Sequence, residues 1–399
     1  MRTQRVGLFG RLGAGNLGND ASMETILGFL ATTAPEATVD ALCSGPARLT
    51  EHYGLPAGQL LWMHAPMTSR LRLARPVITL AKIGLGAVID TCRIAAWVRR
   101  HDVVIVPGMG VLESNLPQRP WQLPYALFVL SVAGRLFRTK IALVGVGASV
   151  VEEGLTRKLL VTAGRLASFR SFRDQDSLGA AQQIGLADPA DKVCPDLAFA
   201  LPVPPDLPGA TDAVGVGVMA YYGGPEDRHQ ADRVHTEYVT KMTAFVRRLI
   251  ESGRPVRLLI GDADDEAVAL GIRAAVRAGA GADVPISYDR PETADDVMRQ
   301  LATVDAVVGT RFHTVLLAVK LAKPTIAIAY GQKHAALMAA MGAGDLVQNV
   351  KDLDVDVLAK QLETALSDRD SLIPALAERS DENARRLDDH LTELAAALF

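Results

Sequence analysis

A chain of 399 residues exceeds what one hydrophobic core usually supports, so two domains of about 200 residues each are expected. Hydrophobic residues make up 49% and charged residues 22%, which excludes a disordered chain, and a net charge of -3 without a basic excess argues against a nucleic-acid partner. Cys43, Cys92 and Cys194 lie far apart with no metal spacing, and the start MRTQRVGLFG lacks the apolar stretch of a signal peptide, so a cytoplasmic location is expected.

In chain order, RVGLFG reads as a buried strand and is followed by GRLGAGNLGND, where Gly13, Gly15 and Gly18 spell G-x-G-x-x-G. A dinucleotide fingerprint places its first glycine directly off the strand and an acid at the end of the second strand. Here Gly13 comes about three residues late, and Asp40 stands near the start of TVDALCS, so nicotinamide binding is not expected. Asn16, Asn19 and Asp20 suit either of two tasks: capping the helix expected over 20–33, or touching a ligand at its amino end.

Helices over 76–99 and 121–137 flank the strand DVVIVPG, and KIALVGVG follows. The first helix carries Lys82, Asp90 and Arg93, and the second is shorter than the roughly 20 residues a bilayer needs, so neither is expected to span one. Arg70, Arg72 and Arg75 leave room for peripheral contact at the cytoplasmic face of a membrane. After SFRSFRD a helix begins near Asp176, and Pro202, Pro204, Pro205 and Pro208 form a stiff connector. The boundary is placed there, giving domains 1–203 and 204–399.

The second half repeats the alternation: AVGVGVMAYY, a helix over 232–252, PVRLLIGD, a helix over 265–279, DAVVGTR, a helix over 314–322, PTIAIAY, and a polar helix over 380–398 free to pack back on the N-terminal domain. This rhythm predicts an α/β fold of two Rossmann-like domains facing across a cleft, with the active site between the halves.

The stretch DAVVGTRFHTVLLAVKLAKPTIAIAYGQKH, residues 305–334, is the most informative. Arg311 and His313 point the same way if their turn is extended, and they sit at a helix amino end that favours anions. Arginine offers a planar fork to a carboxylate or phosphate, and histidine exchanges a proton near neutral pH. With Lys333 they make a pocket for a small, multiply charged acid. The plainer alternative is that Arg311 pairs with an acid such as Asp305. GDADDE, residues 261–266, reads as a solvated helix start, and no metal site stands out.

The layout resembles the polysaccharide pyruvyl transferase family. The resemblance is carried by NLGNDA (16–21), VPGMGVLES (106–114), VGVGAS (144–149), SFRDQDSL (171–178), CPDLAFAL (194–201) and GTRFHTVLLAVKLAKPTIAIAY (309–330), in that order from about residue 6 to 345. It implies a GT-B-like fold and transfer of a pyruvyl group from phosphoenolpyruvate to sugar hydroxyls of a polysaccharide, glycolipid or lipid-linked precursor, commonly as a cyclic ketal, with no cofactor and room for a homo-oligomer. It associates Arg311 and His313 with the donor and puts Lys333 and Arg173 near its phosphate. Gly15, Asn16 and Gly110 of the two glycine loops are implied substrate contacts. The chemistry also needs a base, for which Asp20, Glu113 and Asp196 are candidates. Met109 interrupts the family's glycine run, Asn19 replaces its first-loop Asp, and Glu113 stands where a polar amide or acid is frequent; these departures touch the acceptor side.

Two other readings stand beside this one. A nucleotide-sugar glycosyltransferase of the same fold would usually carry a carboxylate on the second-domain helix, where Lys320 and Lys323 lie. A non-catalytic binding relative would have no reason to keep Arg311 and His313.

Overall fold

The computed structural model describes residues 3–62, 75–113, 120–186, 188–281 and 283–399. Arg70 and Arg72 lie outside these, as does the side chain of Arg75. Contacts divide the chain into two compact units, one of Met1–Ala14, Ser22–Leu197 and Asp389–Phe399, the other of Gly15–Ala21 and Ala198–Asp388. The loop 15–21 and residues 198–203, expected with the first domain, therefore group with the second.

In the first unit the elements run β1 (Arg5–Gly10), α1 (Leu17–Thr33), β2 (Thr38–Cys43), α2 (Pro46–Tyr53), β3 (Ala57–Gln59), α3 (Arg75–Val98), β4 (Val103–Pro107), α4 (Leu123–Phe137), β5 (Lys140–Val146), α5 (Gly154–Leu166), β6 (Phe169–Phe172), α6 (Gln175–Gln183) and β7 (Lys192–Val193). Only the first residues of α1 belong to the other unit. The sheet is parallel, in the order β3-β2-β1-β4-β5-β6-β7. β4 reads VVIVP and is buried throughout, as a strand covered on both faces should be.

The second unit runs β8 (Val214–Gly217), α7 (Ala231–Glu251), β9 (Val256–Leu259), α8 (Glu266–Ala280), β10 (Ile286–Tyr288), α9 (Ala294–Ala302), β11 (Ala306–Gly309), α10 (Phe312–Lys320), β12 (Thr325–Ala329), α11 (Gln332–Ala340), β13 (Val347–Asn349), α12 (Val355–Ser367) and α13 (Arg369–Leu398). Residues 389–398 of α13 belong to the first unit, where Lys140 Nζ donates to the carbonyls of Ala397 and Leu398. The second sheet is also parallel, in the order β10-β9-β8-β11-β12-β13, so the first six strands of each unit follow one winding. In that winding the order reverses between β1 and β4, and again between β8 and β11. A crevice opens at such a switch point beyond the carboxyl ends of the strands, which is where α/β sheets bind ligands. The core of the second unit includes Val214, Val216, Ala306, Val308, Ile326 and Ile328.

Candidate functional site

At the carboxyl end of β11 the chain turns directly into α10. Arg311 is the N-cap, extended at φ -72° and ψ 131°, and no side chain caps the helix. The helix starts at Phe312, not near 314, so His313 already lies in its first turn and does not share a direction with Arg311 by strand alternation.

Arg311 reaches the loop after β9. Its Nε and Nη2 each donate to the Asp265 carboxylate at 2.7 Å, and its Nη1 lies 3.9 Å from Asp262. Asp265 is fully buried and also accepts from the Ala220 amide at 2.8 Å. Burial alone would lower the Arg311 pKa, but the hydrogen bonds and charge of Asp265 raise it above the ordinary value. Burial pushes Asp265 the other way from its partner's pull, upward. The acid that pairs with Arg311 is thus Asp265 and not Asp305, which lies 3.4 Å from Arg369. GDADDE does open α8, as expected, but it is not solvated throughout: Asp262 and Asp265 both hold neighbours in place.

His313 lies against the first glycine loop. A Cβ built on Gly18 would stand 1.9 Å from His313 Nδ1, so only glycine lets the ring pack there. The loop is fixed by an isolated bridge between Asn16 and Asp262, with Leu17 N–H donating to Gly261 O at 3.0 Å and Ala263 N–H to Gly15 O at 3.1 Å. Asn16 Nδ2 donates to Asp262 Oδ2 at 2.9 Å, and Asn16 Oδ1 accepts from Asn19 N–H at 3.2 Å. Both ends of the Asn16 amide are therefore engaged in structure, and Gly15, at φ +93°, brings the chain against Ala263. Asn16 thus caps the start of α1. Asp20, a candidate base, is fully buried.

Lys333 stands in the first turn of α11, after β12, and Gly331 provides no side-chain cap. Its Nζ lies 5.4 Å from the Phe312 ring centroid and 5.1 Å from that of Tyr330, held by two aromatic faces. Among the described residues no carboxylate forms an ion pair with it. Beneath it, fully buried His334 shares a hydrogen bond of 3.0 Å between Nε2 and Thr310 O, and Tyr238 bonds the Thr310 hydroxyl at 2.7 Å while accepting from Met219 N–H. Burial, and then the Lys333 charge, lower the His334 pKa to about 3, so this ring is neutral. The network locks the Gly309-Thr310-Arg311 turn. Sequence reasoning missed Asp265, His334 and Tyr238.

In the first unit, Glu113 and Arg173 meet each other. Arg173 Nη2 donates to Glu113 Oε1 at 2.5 Å and its Nε lies 3.5 Å from Asp174; the two side chains are 6% and 14% exposed. Expected separately as a phosphate ligand and a base, they form one nearly buried ion pair. Gly147 makes it possible, because a Cβ there would stand 2.4 Å from Glu113 Oε1 and 2.6 Å from Arg173 Nη2; one on Gly110 would overlap the Glu113 carboxyl. Met109 takes the left-handed conformation at φ 60° and lays its thioether on Gly10. Asp196 is 7% exposed. Asp40 accepts from Trp97 Nε1 at 2.7 Å and bonds His101 at 3.1 Å, which makes it structural. Lys320 Nζ donates to Phe199 O, and Lys323 Nζ to the carbonyls of Ala302 and Val304. No group of metal-ligating side chains occurs among the described residues.

The sequence profile described as polysaccharide pyruvyl transferase matches residues 16–332, most of the chain. Comparison with curated proteins returned no match. Among solved structures, UDP-GlcNAc 2-epimerase from Neisseria meningitidis bound to UDP-GlcNAc is similar at a TM-score of 0.58 and 10% identity, over 97% of this chain and 100% of that one. MnaA from S. aureus, in a co-structure with UDP, gives 0.59 at 10% identity over 99% and 98%. MurG from Acinetobacter baumannii gives 0.54 at 13% identity over 99% of each. At such identities the likeness is one of fold, and the fold is GT-B.

Proposed function

Because the chain belongs to the polysaccharide pyruvyl transferase family, we propose that it transfers a pyruvyl group from phosphoenolpyruvate to hydroxyls of a sugar in a polysaccharide, glycolipid or lipid-linked precursor and closes a cyclic ketal. One observation carries the donor assignment. Two helix starts whose N-cap residues give no side-chain cap, α10 and α11, follow adjacent strands β11 and β12, and Lys333 beside the Phe312 and Tyr330 rings adds a cation that forms no ion pair with a carboxylate among the described residues.

In this reading Lys333 and the outer Nη1 of Arg311 hold the phosphate and carboxylate of phosphoenolpyruvate, while Asp265 fixes the Arg311 fork. His313 delivers a proton to the methylene carbon, which makes the adjacent carbon electrophilic. A sugar hydroxyl adds to that carbon and gives up its proton. The carbon–oxygen bond to phosphate then breaks with its electron pair on phosphate, and a second hydroxyl closes the ketal with loss of its own proton. Developing negative charge on the departing phosphate faces Lys333.

The test is phosphate release from phosphoenolpyruvate by the purified protein with a panel of glycoside and lipid-linked acceptors. Acceptor-dependent release that disappears in Lys333→Ala supports the reading. Thermal stabilisation by a nucleotide, with none by phosphoenolpyruvate, transfers the protein to nucleotide-sugar chemistry.

A further inference from the structure

We propose that the outward face of α3 and α4 docks on the surface of an anionic lipid bilayer. The two helices pack side by side in the first unit, joined by a 2.8 Å hydrogen bond between the hydroxyls of Thr91 and Tyr125. Helices that cover a sheet ordinarily turn polar residues outward. Here α3 turns out Leu85 and Val88, 55% and 62% exposed, with Cys92 a turn further on, and α4 turns out Val132 and Leu136, the latter 72% exposed. Trp62, 51% exposed, is pinned beside α3 by its amide donating to Asp90 at 2.9 Å, and Trp121, 39% exposed, precedes α4. Tryptophan with an apolar body and a polar edge is the residue type that settles at the boundary between headgroups and acyl chains.

Charge selects this occupant over another. The chain as a whole is net negative. Yet across residues 75–100 and 120–138 the only acid is Asp90, which is buried and paired with Arg93. Lys82 at one end of the stripe and Arg99, Arg100, Arg135 and Arg138 at the other are all exposed. A stripe of exposed apolar side chains bordered by cations and free of exposed acids fits a plane of lipid phosphates. No described helix is long and apolar enough to cross a membrane, so the contact is one of surface lying. The inference stands apart from the transfer chemistry, because vesicle binding is read without donor or acceptor.

The experiment is co-sedimentation of the full chain with vesicles of phosphatidylcholine alone or mixed with phosphatidylglycerol, at rising sodium chloride. Binding should require the anionic lipid, weaken with salt, and fall by at least about tenfold in Arg99→Glu/Arg100→Glu, since each basic residue near such a surface contributes about fivefold. Leu85→Glu/Val88→Glu should abolish it; both side chains are more than half exposed, so circular dichroism should show an unchanged fold. Absence of sedimentation, or equal sedimentation with phosphatidylcholine alone, overturns the proposal. So does a dimer, formed without vesicles, that Leu85→Glu/Val88→Glu converts to monomer, an outcome that assigns the face to a second copy.

Discussion

Each unit of this protein sets an arginine against a carboxylate beyond the ends of its strands, and the two pairs have different surroundings. Glu113 and Arg173 close on each other, nearly buried, with glycines 110 and 147 making room for the contact. Arg311 is equally committed to Asp265, but after the next strand Lys333 carries a second positive charge that faces aromatic rings and forms no ion pair with a carboxylate among the described residues. An ion pair that satisfies itself rigidifies a loop; an ion pair beside a surplus cation leaves net charge for a ligand. In the proposed reading the second unit holds the anionic donor and the first unit's pair is a brace.

The largest effect should come from breaking the pair that holds Arg311. Arg311→Ala leaves the Asp265 carboxylate buried without its partner, which costs about 3–5 kcal/mol of stability. Arg311→Ala/Asp265→Ala should recover most of that loss in a thermal melt yet still release no phosphate from phosphoenolpyruvate. Asp265→Asn keeps a neutral partner for the fork and should raise KM for phosphoenolpyruvate more than it lowers kcat. Arg173→Ala sharpens the comparison: it too should lower the melting temperature, but KM for phosphoenolpyruvate should stay near that of the wild type. A matching rise in both KM values would erase the distinction drawn between the units.

Next in size is Lys333→Ala. No carboxylate is orphaned, and the lost cation–π contacts are worth about 0.5–1 kcal/mol, so stability should barely change. Phosphate release should nevertheless drop by two orders of magnitude or so, about 3 kcal/mol in kcat/KM, the scale of a charged group facing a departing phosphate. Unchanged kcat/KM in the folded variant would remove Lys333 from the donor site.

The strands were legible because RVGLFG, DVVIVP and PTIAIA are apolar runs bounded by turn residues, and the parallel architecture followed from their alternation with helices. Arg311, His313 and Lys333 were legible as basic residues where a buried strand gives way to a helix. What sequence did not reveal was pairing. Asp265 sits in an acidic run that ordinarily faces water, and it is buried only because β9 and β11 both lie next to β8. Glu113 and Arg173 are 60 positions apart, each suggestive alone, and nothing local tells that their loops converge. The glycine loop departs from the spacing of a dinucleotide fingerprint, and the use the structure gives Gly18, to seat a histidine about 300 residues away, is a tertiary fact.

That seat yields a smaller effect. Gly18→Ala forces its Cβ into the His313 ring, which must swing aside or push the start of α1 away. Such overpacking costs about 1–3 kcal/mol. If His313 moves the proton, kcat should fall about tenfold or more while KM for phosphoenolpyruvate stays close to the wild-type value, because Lys333 is untouched. A rise in KM with kcat unchanged would instead make His313 a binding group.

The last effect is a slope with pH and concerns the layer beneath the site. His334 is held near a pKa of about 3 by burial and by Lys333, against 6.5 in the unfolded chain. Between those values the unfolded state binds the proton and the native state does not. Stability is therefore fully present above about pH 6.5 and is lost as pH falls toward 3, by at most about 1.4 kcal/mol per pH unit from this group. The Thr310 carbonyl accepts from the ring and favours its charged form, so it opposes part of this shift. His334→Gln removes the titration while keeping an amide that can donate to the Thr310 carbonyl. Thermal melts from pH 7 to 4 should show a shallower acid slope for His334→Gln than for the wild type. Parallel slopes would mean that other groups, such as paired carboxylates, account for acid sensitivity, and that the neutral histidine under the donor site has no part in it.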